Sequence, residues 1–284
     1  MQKKTLLIIA TVLIFVVAGI FIAYRIAVHT VKPAGQQPVS VVASNIEKAS
    51  KEEENLFNLA AKYEQSGDLL NLRHSYQQII EKFPSSTNIG KAQEGLENTN
   101  VRILFSPIST PDSISYEIQK GDTLAKIAKK FSNTQDMIMK ANGLRNPSIV
   151  PLGKKIKVHN EKFNIIVDKS QNILTLKSAD KVIKTYHVST GLNNSTPVGN
   201  FKIINKIVDP PWYTAGTVIQ PDSPKNILGT RWLGLSAQGY GIHGTTEPQS
   251  IGKQVTSGCI RMKNIEVEEL YQIVPEGTEV VIVD

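Results

Sequence analysis

The sequence predicts a multidomain protein in four parts: a transmembrane (TM) helix, an α-helical hairpin region, a small α+β unit of βααβ order, and a mainly-β domain, a β-sandwich or mixed barrel with one helix. Three observations predict it. Leu6 to Tyr24 is nineteen residues without a charge, and apolar residues between Ile46 and Thr99 recur at helical spacing. From Phe163 onward, short β-rich runs alternate with Gly- and Pro-containing turns. A chain of 284 residues has room for such a division, at about 100–200 residues per domain.

The apolar stretch covers the ~30 Å hydrocarbon core at ~1.5 Å rise per residue. Lys3 and Lys4 precede it and favour a cytoplasmic N-terminus. It runs into Tyr24-Arg25 with no small-x-small cleavage site, so residues 1–28 read as an uncleaved anchor rather than a signal peptide. The body of the chain is then expected outside the cytoplasm, in the cell envelope. Residues 29–45, with two prolines and a Val/Ser stretch, read as a linker.

In residues 46–100, Leu56, Leu59, Ala60 and Tyr63 form one stripe, broken at Gly67-Asp68. Leu72, Tyr76, Ile79, Ile80 and Phe83 form a second, ended by Pro84. A third short helix carries Ala92 and Leu96. The region resembles one tetratricopeptide-like hairpin, where such repeats need about three copies to build a core, and it reads as a helical spacer. Residues 101–114, with Pro107 and Pro111, read as a second linker. In residues 115–159 a strand holds Tyr116 and Ile118, and Asp122 or Thr123 caps a helix carrying Leu124, Ile127, Ala128 and Phe131. A second helix carries Met137, Ile138 and Ala141, and Lys155 to Val158 form the closing strand.

The net charge of +7 favours an acidic partner or surface. No dense Lys/Arg run interleaves with aromatics, so nucleic acid is not expected. One cysteine forms no internal disulfide, and an exported protein with one unpaired thiol points to a use for it. Cys259 sits in Val255-Thr256-Ser257-Gly258-Cys259-Ile260-Arg261-Met262, and His243 stands sixteen residues upstream in Ile242-His243-Gly244-Thr245. A thiol, an imidazole and glycines that let amides face a carbonyl are the parts of a cysteine acyl-transfer site. Zinc wants three or four ligands, and His29, His74, His159 and His187 have no ligand spacing to this pair, so no metal is expected.

Tyr-x-Ile-x-Lys-Gly-Asp-Thr-Leu, Ala-Asn-Gly-Leu and Leu-Gly-Lys-Lys-Ile-Lys-Val, spread over 116–158, resemble a LysM module. That resemblance implies binding of peptidoglycan or chitin glycan, with Gly121, Asp122, Thr123, Asn146 and Pro147 as candidate contacts. Residues 162–284 resemble the catalytic domain of the L,D-transpeptidases (YkuD family). The motifs are Ser189-Thr190-Gly191, Thr196-Pro197-Val198-Gly199-Asn200-Phe201, Tyr240-Gly241-Ile242-His243-Gly244-Thr245 and Thr256-Ser257-Gly258-Cys259-Ile260-Arg261-Met262.

The resemblance implies that Cys259 is the nucleophile and His243 its base. The thiol attacks the third residue of a peptidoglycan stem, expels D-alanine, and passes the acyl group to another stem. No cofactor enters this cycle. Backbone amides of Ser257, Gly258 and Cys259 are the implied oxyanion hole. Gly244, Thr245, Thr256, Trp212 and Tyr213 are implied to border the substrate groove. For the two aromatics, packing beneath the Pro-rich turn is an equal reading, and the segment is expected as a surface loop. Arg261 holds the active loop or meets a substrate carboxylate. Ser257 stands where many family members have His, which leaves His243 alone, and the group orienting its imidazole must be a backbone carbonyl or a distant side chain. Two other functions stay open. One is a carboxypeptidase or protein-to-peptidoglycan transferase on the same intermediate; the other is an inactive wall-binding protein.

Overall fold

The computed structural model describes residues 39–214 and 216–284. The expected anchor therefore lies outside the described residues, and among these no helix is long and apolar enough to cross a membrane. Leu56 to Asp284 forms one compact unit.

Helix α1 (Val39–Ser66) starts inside the stretch expected as linker, which holds prolines only before it and has no breaker after Val39. Gly67, at φ +71°, turns the chain, and Asp68 caps α2 (Leu69–Lys82) by accepting the Asn71 N–H at 3.2 Å. The third helix, α3 (Ile89–Leu104), packs back on α2. Gly95 admits the Tyr76 ring, since a Cβ there would lie 2.4 Å from a ring carbon.

α3 runs through residues 101–104, expected as linker, because these residues have two cores to fill. Ile103 is buried with Ala60, Leu69 and Leu72. Val101 and Leu104 enter the core of the C-terminal domain. The helical region is thus fastened to the β-domain rather than standing off from it, and Asn100 donates to the Ile183 carbonyl at 3.3 Å.

The βααβ unit has β1 (Ser113–Glu117), α4 (Leu124–Lys130), α5 (Gln135–Ala141) and β2 (Lys155–His159), with β1 and β2 antiparallel. Thr123, rather than Asp122, caps α4, and Thr134 caps α5. Ile118, Leu124, Ile127, Ile138, Ile156 and Val158 form its own core, while Met137 is buried in the core of the next domain. The His159 ring stacks on Phe163 (4.6 Å between centroids) and lies 2.8 Å from the Ser178 hydroxyl. Lys157 donates to the carbonyls of Ile103 (2.7 Å) and Ser106 (2.9 Å).

The C-terminal domain is mainly β, built round a mixed eight-stranded sheet with two further two-stranded pairs outside it. Its strands in chain order are β3 (Phe163–Asp168), β4 (Ile173–Ser178), β5 (Lys181–His187), β6 (Thr190–Gly191), β7 (Gly199–Val208), β8 (Trp212–Thr214), β9 (Thr217–Ile219), β10 (Arg231–Leu235), β11 (Gly241–His243), β12 (Gln254–Thr256), β13 (Ile260–Arg261) and β14 (Glu279–Val283), with helix α6 (Asn264–Ile273) before β14. Eight strands pair in the order β13-β11-β10-β7-β14-β3-β4-β5. The outer strands approach through an antiparallel bridge between Ser189, just beyond β5, and Arg261 of β13. The sheet therefore curls towards a barrel, closed at the corner that carries the Cys259 motif.

Trp212 and Tyr213 lie in a short hairpin, β8 with β9, not in a loop. Three-residue strands beside two prolines are too short to show alternation. Val267, Leu270 and Ile273 of α6 are fully buried and supply the helix face that fills the curl.

Candidate active site

The site grows out of one parallel strand pair. Ile242 pairs with Ile260, and His243 with Arg261. In such a ladder successive side chains alternate between faces. Ile242 and Ile260 enter the core, both fully buried, so His243 and Arg261 share the opposite face, and Cys259 stands at the bend just before β13. Gly241, next to Cys259 in this register, has no side chain, and its place is taken by the Trp232 ring, 2.5 Å from where a Cβ would stand. Trp232 pairs with His243 across β10 and β11 and stacks on its imidazole, 6.0 Å between centroids.

Cys259 lines a cleft of about 360 Å³ with Trp212, Tyr213, Trp232, Asn205 and Pro211. Its sulfur lies 3.7 Å from the Gly239 carbonyl, to which the thiol donates. Burial pushes the thiol pKa up, opposed by the Gly241 backbone hydrogen bond and by the Arg261 charge. His243 is buried, and its Nδ1 lies 2.7 Å from the Gly244 carbonyl. Burial depresses its pKa to about 4; hydrogen bonding to the Gly244 and Leu228 carbonyls opposes this and Arg261 adds to it. At neutral pH the pair is thus a thiol and a neutral imidazole. Facing a carbonyl oxygen, Nδ1 is the ring nitrogen that carries a proton, which it donates to Gly244.

The segment before Cys259 is braced by Thr256, whose hydroxyl donates to the Cys259 carbonyl at 2.7 Å and accepts the Gly258 N–H at 3.1 Å. The Gly258 amide, expected in the oxyanion hole, is therefore engaged within its own turn. Gly258 has φ +126°, and a Cβ there would lie 2.6 Å from the Tyr240 ring. Ser257 is exposed at the turn.

Arg261 is 5% exposed, and its guanidinium donates to Glu247 and to Ser250, each at 2.9 Å. Those contacts tie the 245–250 segment to β13. Thr245 is buried, and its hydroxyl accepts the Glu247 N–H at 2.9 Å. Gly244 and Thr245 face Asn264, not the cleft. Asn264 and Trp232 are site residues that sequence reasoning passed over. The signal for Trp232 was a bulky aromatic in a strand beside the His motif; for Asn264 it was an amide two residues beyond the Cys259 motif, at a helix start.

The remaining candidates lie apart from this cleft. Gly121, at φ +86°, turns the β1–α4 loop. Asp122 accepts from Tyr116 and from the Gln119 N–H, both at 2.8 Å. Asn146 accepts the Ser148 N–H at 2.8 Å in the loop after α5. Among the described residues, no group of His, Cys, Asp and Glu is arranged to hold a metal.

Residues 162–282 match the L,D-transpeptidase catalytic domain (YkuD), and residues 116–159 match the LysM domain. A Bacillus licheniformis protein named as the L,D-transpeptidase YkuD is 38% identical over 185 residues, 59% of this chain and 97% of that protein. Its Bacillus subtilis namesake is 37% identical over 179 residues, 60% of this chain and 98% of that protein. Among solved structures, the catalytic domain of the E. faecium L,D-transpeptidase is 26% identical and covers 44% of this chain and 100% of that one, with a TM-score of 0.36. With nearly the whole length of two such relatives covered, the chain belongs to the L,D-transpeptidase (YkuD) family and carries a LysM domain ahead of its catalytic domain.

Proposed function

We propose that this protein cross-links peptidoglycan by cysteine acyl transfer. The observation that carries the reading is a lone thiol opening into an aromatic cleft, one residue before the strand that pairs with the strand of a buried neutral imidazole. His243 Nε2 takes the thiol proton as sulfur attacks the carbonyl carbon of the third stem residue. The tetrahedral oxyanion collapses to a thioester, and the proton passes from His243 to the departing D-alanine amine. An amine of a second stem then attacks the thioester and gives its proton to His243, which returns it to the sulfur. Amide donors aimed at the oxyanion are worth about 10²–10³ in rate. Since the Gly258 N–H is engaged by Thr256, the Ser257 and Cys259 amides carry that role. Trp212 and Tyr213 form the groove wall.

The LysM domain holds glycan while the cleft works on the stems, which raises local substrate concentration without new contacts at the active site. Leu6 to Tyr24 anchors the chain in the membrane with its body in the cell envelope.

Product analysis tests the reading. Residues 46–284 with disaccharide-tetrapeptide are expected to release D-alanine and yield a dimer, and Cys259→Ala to yield neither. Tripeptide without dimer would make the enzyme a carboxypeptidase. Unchanged substrate, with retained binding to insoluble peptidoglycan, would leave only a wall-binding protein.

A further inference from the structure

Asn264 opens α6, five residues beyond Cys259, and its side-chain oxygen gathers two amides from separate segments. Asn264 Oδ1 accepts the Thr245 N–H at 2.9 Å and the Thr230 N–H at 3.3 Å. The hollow it fills exists because two glycines converge on it. A Cβ on Gly229 or on Gly244 would lie 2.2 Å from that oxygen, and Gly229 also sits at φ +65°.

The Thr245 N–H belongs to the same rigid peptide unit as the Gly244 C=O, the two pointing in opposite directions. One end of that plane is held by Asn264, and the other lies 2.7 Å from His243 Nδ1. The main chain of His243 has separate supports: its carbonyl accepts the Met262 N–H at 2.8 Å, and the Gly244 N–H donates to Arg231 at 3.2 Å. Asn264 is thus placed to set the plane of one carbonyl without being needed for the strand.

We propose that Asn264 is the positioning residue for His243: by fixing the Gly244–Thr245 peptide it selects the Nδ1–H tautomer and turns Nε2 towards the thiol. This rests on the reading of His243 as base. The relay Asn264 Oδ1···H–N–C=O···H–Nδ1 polarises each bond in turn. A misplacement of about 1 Å at a catalytic group costs on the order of 10²-fold in rate, and that is the scale expected here.

The test uses the full chain and disaccharide-tetrapeptide, reading the rate of acyl-enzyme formation by mass, its pH profile, and the His243 tautomer by two-bond proton–nitrogen NMR. Asn264→Ala is expected to lower the acylation rate about 10²-fold at unchanged KM and to replace the single Nδ1–H signature with mixed tautomers. Asn264→Asp keeps the acceptor and places a negative charge against the Gly244 peptide. It is expected to retain the tautomer and move the acid limb of the profile to higher pH, since the charge favours the imidazolium. A wild-type rate and tautomer in Asn264→Ala would overturn the proposal. If that variant does not fold, an unmoved acid limb in Asn264→Asp would overturn it. His243→Ala separates the two readings: undiminished acylation there refutes His243 as base, whereas loss there with an unaffected Asn264→Ala refutes only the positioning role.

Discussion

Cys259 and His243 rest as a neutral pair because both are withdrawn from water, which penalises thiolate and imidazolium alike. The Gly241 amide and Arg261 only partly offset this for the thiol. On the proposed mechanism, proton transfer then accompanies attack instead of preceding it. Alkylation of Cys259 by iodoacetamide is expected to be slow at pH 7 and to rise above the usual thiol range of about 8.5, with no plateau at lower pH. A fast, pH-independent rate between pH 5 and 7 would show a preformed ion pair and contradict this. Cys259 and His243 were legible as candidates because two short motifs carried them, and the pairing of β11 with β13 brings those motifs side by side. Asn264 was not legible, since its role depends on Gly229 and Gly244 converging on one oxygen. That arrangement arises only from tertiary structure.

At the scale of elements, the turn from β12 to β13 carries Cys259, the proposed nucleophile. Gly258 holds a backbone conformation that costs other residues about 1–3 kcal/mol, and the Tyr240 ring and the Ser195 carbonyl press on the position of any Cβ. Gly258→Ala is expected to lower acylation by about 10²-fold while the melting temperature falls only a few degrees. Activity equal to wild type would show that the turn does not set the position of the thiol. The short strands around this turn escaped the sequence reading. Thr190–Gly191, Gly241–His243 and Ile260–Arg261 are two or three residues long, below the length at which alternation can be seen. The long strands and the helix stripes were readable because their periods run over many residues. The end of α3 was misread because Val101 and Leu104 are buried by a domain far along the chain.

Within the unit Leu56–Asp284, the LysM domain is fastened to the β-domain at His159 of β2, which is buried against Phe163 and Ser178. Thr134 and Lys140 of the LysM domain also donate to Gln272 of α6. Burial lowers the His159 pKa to about 4; Asp112 opposes this and Lys157 adds to it. His243 is depressed likewise. Unfolded histidine titrates near 6.5, so between about 6.5 and 4 the unfolded chain binds more protons than the fold. Stability is full above that window and is lost as pH falls through it. The melting temperature is expected to drop by several degrees from pH 7 to pH 4.5, and less in His159→Gln. A melting temperature flat over this range would contradict both depressed values.

The most direct measurement is the intact mass of the protein mixed with disaccharide-tetrapeptide. The account predicts an adduct on Cys259 equal to the substrate less D-alanine, cleaved by hydroxylamine and absent from Cys259→Ser. No adduct on the wild type, or the same adduct on Cys259→Ser, would contradict a thioester at this cysteine.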